Sequence, residues 1–150
     1  MTNIRLPARD ARDLLLIAQK NLSVTKAPDT GRHEPALDID AIYVGLMPQS
    51  DQDSDDKTVI DVTEVTEDLD NYGSDIPTTR EQRAAVNIYY GIEKNDYTDL
   101  IEKEIESVFL SKNWRIVVSE PHVPTVDTGQ ETKVYQFARN VENDYEKKEV

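Results

Sequence analysis

The run REQRAAVNIYY, from Arg80 to Tyr90, decides the fold class. Ala84, Val86, Ile88 and Tyr90 fall on one side of an extended chain, and Arg83, Asn87 and Tyr89 on the other. That period of two marks a strand with one buried face, and Gly91 stops it. Upstream, Thr58 to Thr66 alternates less cleanly: Ile60 and Val62 face one way and Asp61 and Thr63 the other, with Val59 and Val65 blurring the pattern. Ala41 to Met47 holds Ile42, Tyr43, Val44 and Leu46 and ends at Pro48, which cannot donate to a ladder. Downstream, WRIVVS (Trp114 to Ser119) and TKVYQFAR (Thr132 to Arg139) are rich in β-branched and aromatic residues. The chain therefore predicts five strands.

Two helices flank the central strand in sequence. Ala11, Leu14, Leu15, Ala18 and Leu22 repeat at helical spacing over Pro7 to Asn21, with Pro7 tolerated in the first turn. Tyr97, Leu100, Ile101, Ile105, Val108 and Phe109 do the same from Asp96 to about Lys112. Asn113 suits the left-handed conformation that ends helices. The order α-β-β-β-α-β-β, with short connections, predicts a single α+β domain over residues 1–150. Its sheet is expected to be mixed and largely antiparallel, with two amphipathic helices on one face. Gln49 to Lys57 and Glu67 to Thr79 read as polar loops, the second through Asn71, Gly73 and Pro77. Pro121 and Pro124 argue against a central strand, and Asp127 to Gln130 reads as a tight turn. Trp114 to Arg139 is thus expected to form one long hairpin with a projecting tip, followed by a frayed tail from Asn140.

Composition removes several functions. The 150 residues carry 17 Lys and Arg against 30 Asp and Glu, a formal net charge of −13, and no Cys. Thiolate zinc sites, disulfides and a Cys nucleophile are excluded, and the acidic balance disfavours nonspecific binding to nucleic acid or anionic lipid. No apolar run approaches the roughly 18 residues of a membrane span, and Met1 to Lys20 lacks a signal-peptide pattern, so a soluble intracellular protein is expected. The charge is localised. Asp51 to Asp75 holds ten acids and one base, Lys57.

Chemistry-bearing motifs are absent. His33 and His122 lie in proline-containing loops without HExxH-type spacing. Asp51, Asp53 and Asp55 resemble the start of a calcium loop, but Asp56 stands where that loop requires Gly and Val62 where it requires Glu. There is no GxGxxG, Walker or GxSxG sequence. Asn21-Leu22-Ser23 spells a glycosylation sequon without a secretory signal. No enzyme, cofactor or metal is expected. Trp114 reads either as core or as a partner-facing anchor. Tyr89, Tyr135 and Phe137 suggest bulky residues on both sheet faces, as where helices cover one side and a neighbouring subunit, or a second packing layer, covers the other.

Four segments together resemble a known family: IDAIYVGLMPQ (Ile39 to Gln49), VIDVTEV followed by DLDNYGSD (Val59 to Asp75), AAVNIYYG (Ala84 to Gly91), and Asn113 to Arg139. They are similar to the small tail terminator, or tail completion, proteins of long-tailed phages of Gram-positive bacteria. The resemblance implies a structural virion protein that assembles as a homohexameric ring at the head-proximal end of the tail. Such a ring caps the tube, stops polymerisation of the major tail protein and presents a surface to a head-completion or connector protein. It implies assembly in the host cytoplasm, DNA passing through without specific binding, and no membrane. On that expectation the hairpin supplies the contacts, through Trp114, Arg115, Pro121 and Pro124 on its first half and tip. Asp127, Gly129, Tyr135, Phe137 and Arg139 complete the set. Asp51, Asp53, Asp55 and Asp56 are candidates either for a channel-facing acidic surface or for a solvated outer loop. The competing reading is an acidic binding or inhibitor protein of the DNA-mimic type, or another head-to-tail joining protein.

Overall fold

The structure is a computed structural model that describes residues 6–45, 56–73, 76–91, 97–124 and 130–142, with backbone alone for 66–78. Helix α1 spans Pro7–Leu22, with Pro at its first position, Asp10 in the first turn and Lys20 in the last. That is the polarity the helix dipole favours. A single 3₁₀ turn at Pro35–Leu37 leads to β1 (Ala41–Val44). Then come β2 (Val59–Gly73), β3 (Ile76–Tyr89) and helix α2 (Thr98–Ser111). Strands β4 (Arg115–Ser119), β5 (Val123–Pro124) and β6 (Glu131–Glu142) complete the chain.

The strands form one sheet in the order β1-β2-β3-β6-β4, with β5 also paired to β6. Only β1 and β2 run parallel; every other pair is antiparallel. The α+β class with a mixed, largely antiparallel sheet is therefore as expected, with six strands rather than five. Ala84, Val86, Ile88 and Tyr90 are fully buried, as their alternation requires. They join Ala11, Leu15, Ala18 and Leu22 of α1 and Ile101, Ile105 and Phe109 of α2 in one core. No described helix is long and apolar enough to cross a membrane.

The end of α2 shows how local sequence places the last strands. Asn113 adopts φ +67°, Trp114 N–H donates to the Phe109 carbonyl at 3.1 Å, and Asn113 N–H donates to that of Leu110 at 3.3 Å. This left-handed cap turns the chain so that the Trp114 ring meets Phe109 edge-on at 5.5 Å. Phe109 in turn stacks on Phe137 of β6 at 4.0 Å.

Three expectations are corrected. Glu67 to Thr79 is not a loop: the β2–β3 ladder shifts register between Val65 and Asp68 and then continues to Gly73↔Ile76. Pro77 fits because, among the described residues, the β3–β6 ladder ends at the Thr79↔Glu142 pair and no third strand there needs its missing N–H. The C-terminal hairpin does not project freely up to its prolines: β5 pairs Val123 with Thr132 and Pro124 with Glu131. Finally, Asn140 to Glu142 belongs to β6 rather than to a frayed tail.

Candidate interaction surface

The β3–β6 register pairs Val86 with Tyr135 and Ala84 with Phe137. In an antiparallel sheet, paired residues share a face, so Tyr135 and Phe137 lie on the helix-covered side, 1% and 0% exposed. Bulky residues thus stand on both faces, as expected: Tyr135 and Phe137 under the helices and Tyr89, half-buried, on the opposite side. Trp114 is likewise core, 3% exposed.

Arg139 is engaged within the chain. Its guanidinium pairs with Asp10 at 2.6 Å, stacks over the Trp114 ring at 4.7 Å, and its Nε donates to Gln82 Oε1 at 3.0 Å. It pins the first turn of α1 to the end of the sheet. Arg115 differs. It is exposed at the start of edge strand β4, where it pairs with Glu81, which also pairs with Arg83. Arg83, and then Arg115, hold the Glu81 carboxyl below its ordinary range. Pro121 and Pro124 are exposed on the same border of the sheet, as are Val117 and Val123. Asp127 and Gly129 lie outside the described residues, as do Asp51, Asp53 and Asp55. Asp56 is exposed.

Beneath α2 lies a polar cluster that spacing along the chain did not announce. Glu102, 7% exposed, accepts from the Tyr90 hydroxyl at 2.7 Å and contacts His122 Nε2 at 2.6 Å. The Tyr135 hydroxyl donates to Glu106 at 2.6 Å and reaches Glu102 at 3.4 Å. Burial, followed by the charges of these carboxylates, pushes both tyrosine hydroxyls well above their usual range, so they act as fixed donors. Lys133 donates to Ser119 Oγ at 2.8 Å and to the Glu120 carbonyl. Together these bonds seat residues 119–122 against the core. The cue in the sequence was Glu102 itself, three residues before Ile105 and seven before Phe109, on the buried stripe of its helix. His33, also read as a loop histidine, bridges the Thr25 carbonyl at 3.1 Å and Asp38 at 2.8 Å. Among the described residues no group of His, Asp and Glu is arranged to hold a metal ion.

Residues 32–142, well over half of the chain, match the family described as a protein of unknown function, DUF806. The chain belongs to the DUF806 family. No curated protein matches it. The DUF806 match takes in every strand and α2 and leaves α1 outside. This DUF806 chain presents outward both the borders of its sheet and, away from the helices, a half-buried face. Among the described residues, strand β4 is bonded on one side only, to β6, and β1 pairs with only the first four residues of β2.

Proposed function

We propose that this protein is a tail terminator: a structural subunit that assembles as a ring on the head-proximal end of a phage tail tube, halts addition of the major tail protein and offers the surface to which the head attaches. The observation that carries the proposal is the open border of the sheet. One face is covered by two helices, while among the described residues strands at both ends of the sheet keep unpaired edges of the kind through which subunits join head to tail. The sequence resemblance supplies the biological setting. Capping in this reading is steric, and the contacts come from Arg115, Val117, Pro121 and Pro124 rather than from the buried Tyr135 and Phe137 or the engaged Arg139.

Light scattering after size exclusion, with and without the phage's tail-tube subunit, tests the proposal. A closed ring alone or on the tube, together with tubes whose growth stops when the protein is added, is expected. A strict monomer that leaves tube length unaffected would sink it.

A further inference from the structure

Beyond Val62, β2 runs on for eleven residues to Gly73, whereas β1 stops at the Val44↔Val62 pair, closed by Gly45 N–H donating to the Val62 carbonyl at 2.9 Å. Among the described residues, no strand lies along the β1 side of β2 from Thr63 to Gly73. Among the described residues the β2–β3 hairpin also overreaches β6, whose last partner in β3 is Thr79. A two-stranded ribbon standing alone is marginal in water, and here Leu69, Tyr72 and Ile76 are its only large apolar residues past Val65. At the other end of the sheet, β4 presents its own free edge, with Val117 exposed.

We propose that the free edge of β2 in one copy pairs antiparallel with the free edge of β4 in the next copy, forming the joint of a closed ring; this rests on the ring-forming reading above. Strand direction supports it. The pairs β2–β3, β3–β6 and β6–β4 are all antiparallel, so β2 and β4 run in opposite directions. A neighbour generated by rotation about an axis along the strands keeps its direction, and its β2 then meets β4 antiparallel, the stronger arrangement. The two edges lie on opposite ends of the sheet, which makes the contact heterologous and able to close. Charge supports it too. By sequence, Thr63 to Gly73 holds Glu64, Glu67, Asp68 and Asp70 and no basic residue, whereas β4 opens with Arg115. Setting Val65 opposite Val117 brings Glu67 level with Arg115. Each edge has an irregularity, between Val65 and Asp68 and between Ile116 and Val118, which keeps the ladder short and leaves charge to fix its register.

The absence of Cys gives a clean test. In a chain carrying Val65→Cys and Val117→Cys, the two thiols are three strand spacings apart, about 14 Å, beyond the ~7 Å Cα limit for a disulfide. Mild oxidation should therefore yield only intermolecular bonds, seen as a ladder of denaturant-resistant species ending at the ring number. Arg115→Glu should weaken assembly at least tenfold, and adding Glu67→Lys should restore it. Circular dichroism confirms that each variant is folded. If the wild type assembles but no ladder appears and charge reversal changes nothing, the joint lies elsewhere and the ring reading survives. A wild type that stays monomeric with and without the tail-tube subunit overturns both.

Discussion

At the scale of single residues, His33 and Asp61 show opposite couplings to pH. Both ring nitrogens of His33 face acceptors, the Thr25 carbonyl and the Asp38 carboxylate, and only the imidazolium can donate to both. The Thr25 carbonyl first, then Asp38, raises its pKa above 6.5, against a smaller opposing effect of burial. Because the folded value is the higher one, the stabilisation is complete below the unfolded pKa of about 6.5 and is lost as pH rises through the folded value. Followed by NMR, the His33 titration should have its midpoint above that of a free histidine, and Asp38→Asn should move it down. Asp61 is held on the half-exposed face with Oδ1 lacking a hydrogen-bond partner. Burial raises its pKa despite the backbone N–H groups of Gly45 and Val62. Here the ionised form is the disfavoured one, so the penalty is constant above the folded pKa and stability grows as pH falls through it toward the unfolded value. Asp61→Asn should stabilise the protein at pH 7 by less than about 1 kcal/mol, the group being partly solvent-screened. In urea titrations the gain should shrink toward pH 4.

At the scale of elements, close approach and buried donors set the costs. A Cβ on Gly91 would lie 2.7 Å from the Asp56 carbonyl oxygen, while Gly91 N–H donates to Thr58 Oγ1 at 3.2 Å. Gly91→Ala must push apart two backbone segments and should cost about 1–3 kcal/mol, read as a lower urea midpoint with an unchanged slope. Glu102→Ala would leave the buried Tyr90 hydroxyl without its acceptor and should cost about 2–4 kcal/mol with the lost packing. His122→Ala, at a ring 36% exposed, should cost about 1 kcal/mol. Hydrogen exchange separates the two: the histidine variant deprotects residues near 120–124 alone, the glutamate variant also α2. The periodic parts of these elements were legible in the sequence, because burial of Ala84, Val86, Ile88 and Tyr90 or of Ile101, Ile105 and Phe109 follows from spacing. The β2–β3 arm was not. Its Asn71, Gly73 and Pro77 are turn residues by local chemistry, and only the ladder between the two strands makes them extended. The faces of Tyr135 and Phe137 were equally hidden, since alternation within β6 says which residues share a side but the register with β3 says which side is covered.

At the scale of the whole molecule, the family match and the physical core do not coincide. The DUF806 match begins at residue 32, yet Ala11, Leu15, Ala18 and Leu22 of α1 are at most 1% exposed against Ile60, Val86 and Ile105. Arg139 of β6 reaches back to Asp10 in the first turn of the same helix, and Gln19 donates to the Ile39 carbonyl at 2.7 Å beside β1. Among the described residues the helix is thus half of the apolar layer covering the sheet, and its removal would bare the buried side of three strands. Each fully buried leucine lost from such a core costs about 2–5 kcal/mol, and Leu15 and Leu22 together approach the 5–15 kcal/mol that holds a domain folded. A chain trimmed to residues 32–142 should therefore lose its cooperative urea transition and near-ultraviolet dichroism and bind the dye ANS, while retaining part of its strand signal. Arg139→Ala in the full chain should be milder: it frees the first turn of α1 and red-shifts the emission of Trp114 while leaving the urea transition cooperative. A trimmed chain that unfolds as sharply as the full one would place α1 outside the folding unit. The sheet would then have to be stable with one face half uncovered, which the burial of Leu15 and Leu22 argues against.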